Sequence, residues 1–459
     1  MKVKDFYLKN KTYIDMGVTV ALILLANFFY VTWPIATAFL IFAFATSKFD
    51  KQICYCVFLA VFSGVSPIYV SALLLCFLMT AIRYVIDVSK KRKPFFKTPF
   101  FITLAIVVVA SLIFGKVDVK GFFNWALFTC LMFFVYFAFV YGREIDVKKC
   151  FDFLFVAIVV SAVLGLAFCP IDKIKNAIYP FDGTYNRLRL FALNVNHLAM
   201  FCMFSLTYVV CCLMKNHITK KASFEFFKEK KFWFEFVKIC ILFVIGLLTM
   251  SKAFLLVVAF VFVYFLIFLV CKLQWKSLIL IVPAIVCVGL LALLFKDFVS
   301  DLVSRFVVYG SWDSLISKIF TGRTDIWLDY FEAMANSPLN LIFGFGLLTK
   351  DVVSSGPHNV FVYLLFRVGI VGVVALFVLV CFYIKNAKSK LKVTFDSLLV
   401  LMVYILFSLE EMVFSDRFFL FLVFGILMAF QNKENEKIEE NRTKEQKIEE
   451  KDVTSSNKL

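Results

Sequence analysis

Long apolar runs, separated by short clusters of Lys and Arg, constrain this chain more than any motif in it. A run near bilayer length with almost no charge can satisfy its backbone in lipid only as a helix, because hydrocarbon offers no hydrogen-bond partner. Such runs fall at 16–30, 32–46, 53–66, 69–85, 100–114, 122–141, 151–169, 191–214, 237–250, 253–271, 278–294, 360–384, 398–409 and 418–430. Several are shorter than the roughly 20 residues of a full span. Pro34 and Pro67 point to kinked or re-entrant pairs, so twelve full helices reads as well as fourteen. A mean hydropathy of +0.90, with 62% apolar residues, excludes an ordinary soluble globule. The expected fold is all-α, a polytopic transmembrane bundle of about 12–14 helices.

The net charge of +17 reads as topology and gives no reason to expect nucleic acid as a partner. Basic clusters at 1–11, 48–51, 90–97, 143–149, 215–231, 272–276 and 385–392 sit at alternate ends of the runs. The positive-inside rule puts all of them in the cytoplasm, with both termini inside a multi-pass cytoplasmic membrane protein. The first apolar run has no small-residue cleavage site and is expected to be retained. The integral domain is expected over 1–431, followed by a charged, disordered cytoplasmic tail at 432–459. Two polar segments then lie outside, a short one at 170–190 and a large loop at 295–357 containing short interfacial helices. The 13 cysteines fall in or beside apolar runs and read as small apolar filler, with no disulfide framework.

The large loop and the helix after it carry the candidate chemistry. Ile326, Trp327, Tyr330, Phe331 and Met334 recur at helical spacing, with Asp325, Asp329 and Glu332 opposite, which predicts an interfacial amphipathic helix. Thr321 or Thr324 caps its start and Ser337-Pro338 ends it, leaving Arg323 at a helix N-terminus that favours an anion such as a diphosphate. Alternatively, Arg323 snorkels or pairs with Asp325. His358, one of three histidines, precedes an apolar run and is poised to accept a proton, or else bonds a neighbouring carbonyl. Asn359 orients it or binds a sugar hydroxyl. Arg367 lies roughly 13 Å deeper, at 1.5 Å per residue, and faces a cavity or pairs across the bundle with Asp87, Glu410 or Glu411.

A second cluster comprises Arg187 and Arg189 before a helix start, followed by Asn194, Asn196 and His197. It would clamp phosphates at the same face, or is simply a polar helix start. Lys252, in Ser251-Lys252, adds a point charge there or only turns the chain between two spans. Walker, Rossmann, CxxC, HExxH and GxSxG patterns are absent from the sequence, so metal-independent chemistry without a cofactor is expected. Asp325, Asp329, Glu332 and Asp351 share the loop as glycosidase candidates, although a charged helix face explains the first three.

The ordered set Arg and Asn by an outer loop, Ser251-Lys252 in an apolar hairpin, Gly322-Arg323, Trp327, Gly344-Phe-Gly346, His358-Asn359 and Gly369-Ile-Val-Gly372 resembles the O-antigen ligase and O-antigen polymerase (Wzy-type) superfamily. The resemblance covers roughly 187–372. The family often has Ser-Arg where Ser251-Lys252 stands, and Pro where Val195 separates two Asn. It implies a membrane glycosyltransferase acting outside the cytoplasmic membrane on undecaprenyl-diphosphate-linked oligosaccharide, with a chain-length regulator and a flippase as pathway partners. In that scheme His358 and Arg323 are catalytic, and Arg187, Arg189, Asn196, Lys252, Asn359 and Arg367 bind diphosphate or sugar. The expected activity is polymerisation of O-antigen, capsule or exopolysaccharide repeats, with ligation of the finished glycan as the alternative. A flippase or other transporter fits less well, since polar groups gather in outer loops and no internal repeat is visible.

Overall fold

A computed structural model gives the fold and describes residues 3–28, 32–64, 68–92, 101–106, 109, 133, 136–137, 140–141, 145–168, 181–182, 185–186, 188–192, 194–214, 228–273, 323–346, 353, 356–387 and 395–408. The predicted spans at 278–294 and 418–430, most of those at 100–114 and 122–141, and the tail lie outside these residues.

The described chain is an all-α bundle: α1 (Val3–Phe28), α2 (Thr32–Ala45), α3 (Phe49–Ala60), α4 (Ile68–Ser89), α5 (Val147–Phe168), α6 (Val195–Leu213), α7 (Lys230–Leu248), α8 (Lys252–Leu273), α9 (Arg323–Ala335), α10 (Pro338–Phe343), α11 (Val360–Ala387) and α12 (Phe395–Ser408). The one extended feature described is a two-residue antiparallel ladder, Phe181 with Asn186 and Asp182 with Tyr185. Four of these helices are long and apolar enough to cross a membrane, over Ala72–Ser89, Val195–Leu213, Lys252–Cys271 and Val360–Val378. Pro34 does not kink α2; it sits in the first turn, where its missing N–H leaves no bond unmade.

Helix α6 is the central post. It is apolar on every side, 89% of its span is buried, and α5, α7, α8 and α12 pack around it. Helix α8 is more apolar still but only 28% buried, as expected of a lipid-facing helix. Small residues let helices approach: Gly246 of α7 lies so close against the Phe254 ring of α8 that a Cβ there has no room. Phe151 of α5 stacks on Tyr208 of α6 with ring centroids 4.2 Å apart.

Two helices begin well before the runs that hydropathy marks. Helix α1 starts at Val3 and α7 at Lys230, because neither polar stretch holds a Pro or Gly and each has buried ionic partners to satisfy. Asp15, 1% exposed, accepts from Lys11 at 2.7 Å, Tyr55 at 2.9 Å and Tyr7 at 3.0 Å, which joins α1 to α3. Burial, then the bond to Asp15, raises the Tyr7 hydroxyl above its ordinary pKa. Lys238 of α7, 6% exposed, donates to Asp152 of α5 at 3.0 Å. Removing one member of such a buried set strands the rest, so Asp15→Ala is expected to lose about 3–5 kcal/mol. Asp50, paired with Lys149 at 3.9 Å with both side chains partly exposed, is expected to lose under about 1 kcal/mol as Ala. Thermal unfolding in detergent compares the two; equal shifts would refute the assigned role of Asp15.

Candidate functional site

Helix α9 is described from Arg323 to Ala335, and Pro338 starts α10 two residues after Asn336 ends the turn. Thr324 lies inside the first turn, and Thr321 is outside the described residues. Arg323, Trp327, Tyr330 and Met334 follow one another at i, i+4, i+7 and i+11, so they share one face. That face turns onto α11 and the loop before it: Tyr330 and Met334 are buried with Val362 and Phe366, and Arg323 and Trp327 are half-buried. The predicted interfacial stripe is thus covered by protein. Phe331, one residue and about 100° off this row, is instead exposed at 45%, beside Leu328 and the acidic arc of Asp325, Asp329 and Glu332. Arg323 and Asp325, two positions apart, point to different sides of α9, which disfavours their local pairing.

Two contacts orient α9. Trp327 Nε1 donates to the Pro357 carbonyl at 2.7 Å, and the Tyr330 ring stands edge-on to Phe366 at 4.8 Å. Helix α9 therefore descends alongside α11, and Arg323, one turn before Trp327, lies at the end of α11 where His358 stands. His358 has a left-handed backbone, φ 47°, and is half-buried. The buried Asn359 is the N-cap of α11, its Oδ1 accepting from Phe361 N at 2.9 Å and Val362 N at 3.2 Å. That oxygen is committed to the helix, so a sugar hydroxyl would meet the Nδ2 end.

Deeper, α11 is broken. Gly369 has φ 66° and ψ −177°, far from helical, and this opens the carbonyls of Phe366 and Arg367. Loop residues close them: Phe345 N donates to Phe366 O at 2.7 Å and Gly346 N to Arg367 O at 2.9 Å. Irregular backbone within a membrane helix is tolerated only where protein or a cavity covers it. Gly344 and Gly369 meet backbone to backbone, and a Cβ on either would overlap the other segment. Arg367, 6% exposed, returns a bond from Nη1 to Gly346 O at 3.3 Å, with its guanidinium over the Tyr363 and Phe366 rings at 5.5 and 5.6 Å. Of its predicted carboxylate partners, Asp87 is engaged by Arg83 at 3.7 Å and Tyr141 at 2.8 Å, while Glu410 and Glu411 lie outside the described residues.

The second cluster forms around α6. Leu188 N donates to Leu248 O at 3.0 Å, and Gly64 N to Phe191 O at 2.9 Å, which docks the segment at 188–192 against the ends of α7 and α3. Arg189, Asn196 and Lys252 are consequently gathered at one end of α6, α7 and α8, all half-buried. Burial lowers the Arg189 pKa from its ordinary value. Asn194 caps α6, accepting from His197 N at 2.9 Å. Arg187 lies outside the described residues. The two groups belong to one bundle, since Val360 at the start of α11 shares a contiguous apolar core with Leu198 of α6 and Phe254 of α8.

Sequence reasoning missed the break in α11 and the Trp327 to Pro357 bond. Gly-Ile-Val-Gly was a visible signal for the first, but glycine is common in intact membrane helices. Nothing in the spacing names the acceptor of an indole N–H.

Residues 238–377 match the family model for O-antigen ligase. The match supports the resemblance of this segment to the O-antigen ligase/polymerase superfamily. The O-antigen ligase match begins within α7 and ends within α11, under a third of the chain, and it contains Lys252, Arg323, His358, Asn359 and Arg367. Arg187, Arg189 and Asn196 precede it. No curated protein and no solved structure gives a match.

Proposed function

We propose that this protein is a polysaccharide polymerase of the O-antigen, capsule or exopolysaccharide type. It joins undecaprenyl-diphosphate-linked repeat units on the outer side of the cytoplasmic membrane, with both termini in the cytoplasm. The observation that carries this reading is the Trp327 to Pro357 bond, which brings the start of α9, with Arg323, to the end of α11 that carries His358. A fixed cation at a helix N-terminus suits the diphosphate that leaves. An imidazole beside it suits the acceptor hydroxyl, whose proton must go as its oxygen attacks the anomeric carbon. Direct displacement of this kind needs no metal and inverts the anomeric centre. Arg187, Arg189 and Lys252 add charge for the diphosphate, and Asn196, Asn359 and Arg367 offer donors to diphosphate or sugar.

The description of the matched family favours a second reading, ligation of a finished chain to another acceptor. A transporter gains little from the broken helix, because the carbonyls freed at Phe366 and Arg367 are closed by loop amides. Gel profiles of surface polysaccharide separate these readings. Cells lacking the protein are expected to carry single repeat units, and the wild-type gene to restore a ladder. Long lipid-linked chains that never reach an acceptor would instead establish the ligase, and repeats stranded on the inner leaflet the flippase.

A further inference from the structure

We propose that Trp327 is a positioning residue that sets the His358 imidazole through the backbone, a role that rests on reading His358 as the group that takes the acceptor's proton. The peptide unit joining Pro357 to His358 is planar, so holding its oxygen also holds its N–H and the plane from which φ of His358 turns. Trp327 holds that oxygen at 2.7 Å. The restraint has something to resist: φ of 47° is a sparsely populated conformation for a residue other than glycine, and it persists where neighbours over-determine it.

The other neighbours are in place. The Pro357 ring fixes its own φ. On the far side, Asn359 caps α11 through Phe361 N and Val362 N, and Tyr363 N donates to Asn359 O at 2.9 Å. With both flanks held, the imidazole moves only about its side-chain torsions. Helix α9 and Arg323 stay against α11 without that bond, through the Tyr330 ring on Phe366, so loss of the indole N–H acts on His358 alone. The indole ring packs against the cluster that holds Tyr330, Val362 and Phe366, packing that Phe would largely keep while losing the N–H.

The test uses the full-length protein in lipid, with the undecaprenyl-diphosphate-linked oligosaccharide accumulated by cells that lack it. Trp327→Phe is expected to lower kcat about ten- to a hundredfold, with KM for that donor and the unfolding midpoint held at wild-type values. Added to His358→Asn, it is expected to cost nothing further, because both changes act through one group. Wild-type kcat in Trp327→Phe, a loss matched by loss of folded protein, or a double variant slower than His358→Asn alone would each overturn the assignment. Absence of transfer by the wild type would overturn the polymerase reading itself, and with it the role of Trp327.

Discussion

Arg323→Ala is expected to abolish the polysaccharide ladder while the variant still inserts at wild-type levels, because chain growth slows by about 10²–10³-fold when one donor to a developing oxyanion is lost. The magnitude follows from where the charge appears. In the proposed transfer the leaving diphosphate gains negative charge as the glycosidic bond stretches, so a cation there stabilises the transition state more than the bound donor. Arg323→Lys is expected to recover only part of the rate, since a point charge replaces a planar fork that grips two oxygens. His358 calls for a different substitution. Its left-handed φ of 47° is tolerated by Asn better than by Ala, so His358→Asn removes the proposed base with less backbone strain. That variant is expected to lose about 10²–10⁴-fold. Assays of lipid-linked repeat polymerisation in membranes normalised for protein level measure both, and full activity in either variant would remove its residue from the mechanism.

How far the sequence discloses these positions depends on which force sets each one. Hydropathy locates α2, α5, α6, α8 and α11 to within a few residues, because a backbone in lipid must bond to itself and apolar length is the direct record of that need. It misplaces the starts of α1 and α7, where helices run on through polar turns held by Asp15 and Lys238, ion pairs that no hydropathy window weighs. The helix through Arg323 and its end are legible from the spacing of its apolar residues and from Ser337-Pro338. Phe331 is not, since a stripe read by composition takes in any nearby aromatic, whereas burial follows the angle around the helix. The capping role of Asn359 is hidden for another reason: an Asn beside a candidate base invites a ligand role, and only geometry shows its oxygen spent on the two amides that open α11.

Gly369→Ala is expected to be the most damaging single substitution in the α9–α11 unit, although it adds one methyl group far from any reacting atom. Its φ of 66° and ψ of −177° fall in a region open essentially to glycine alone, so any Cβ brings backbone strain on the order of 1–3 kcal/mol. The same Cβ would press on Gly344 N and the Ile342 carbonyl, which are backbone atoms and cannot rotate away. Gly344→Ala meets the reverse of this contact, at φ 83° and against the Arg367 carbonyl. Either change forces the loop off α11 and breaks the bonds from Phe345 N and Gly346 N, leaving two carbonyls unsatisfied inside the bundle. A desolvated, unpaired carbonyl costs about 1–3 kcal/mol each, so the combined penalty approaches the whole stability of an ordinary domain. Gly17→Ala is the control. Nothing lies within 4 Å of a Cβ at that position of α1, and alanine there is expected to stabilise the helix by up to about 1 kcal/mol. Limited proteolysis and detergent unfolding read the three variants together. Early cleavage within 323–346 is expected for the first two only, and a Gly369→Ala protein as resistant as wild type would mean that the α11 break is not braced by the Gly344 to Gly346 loop.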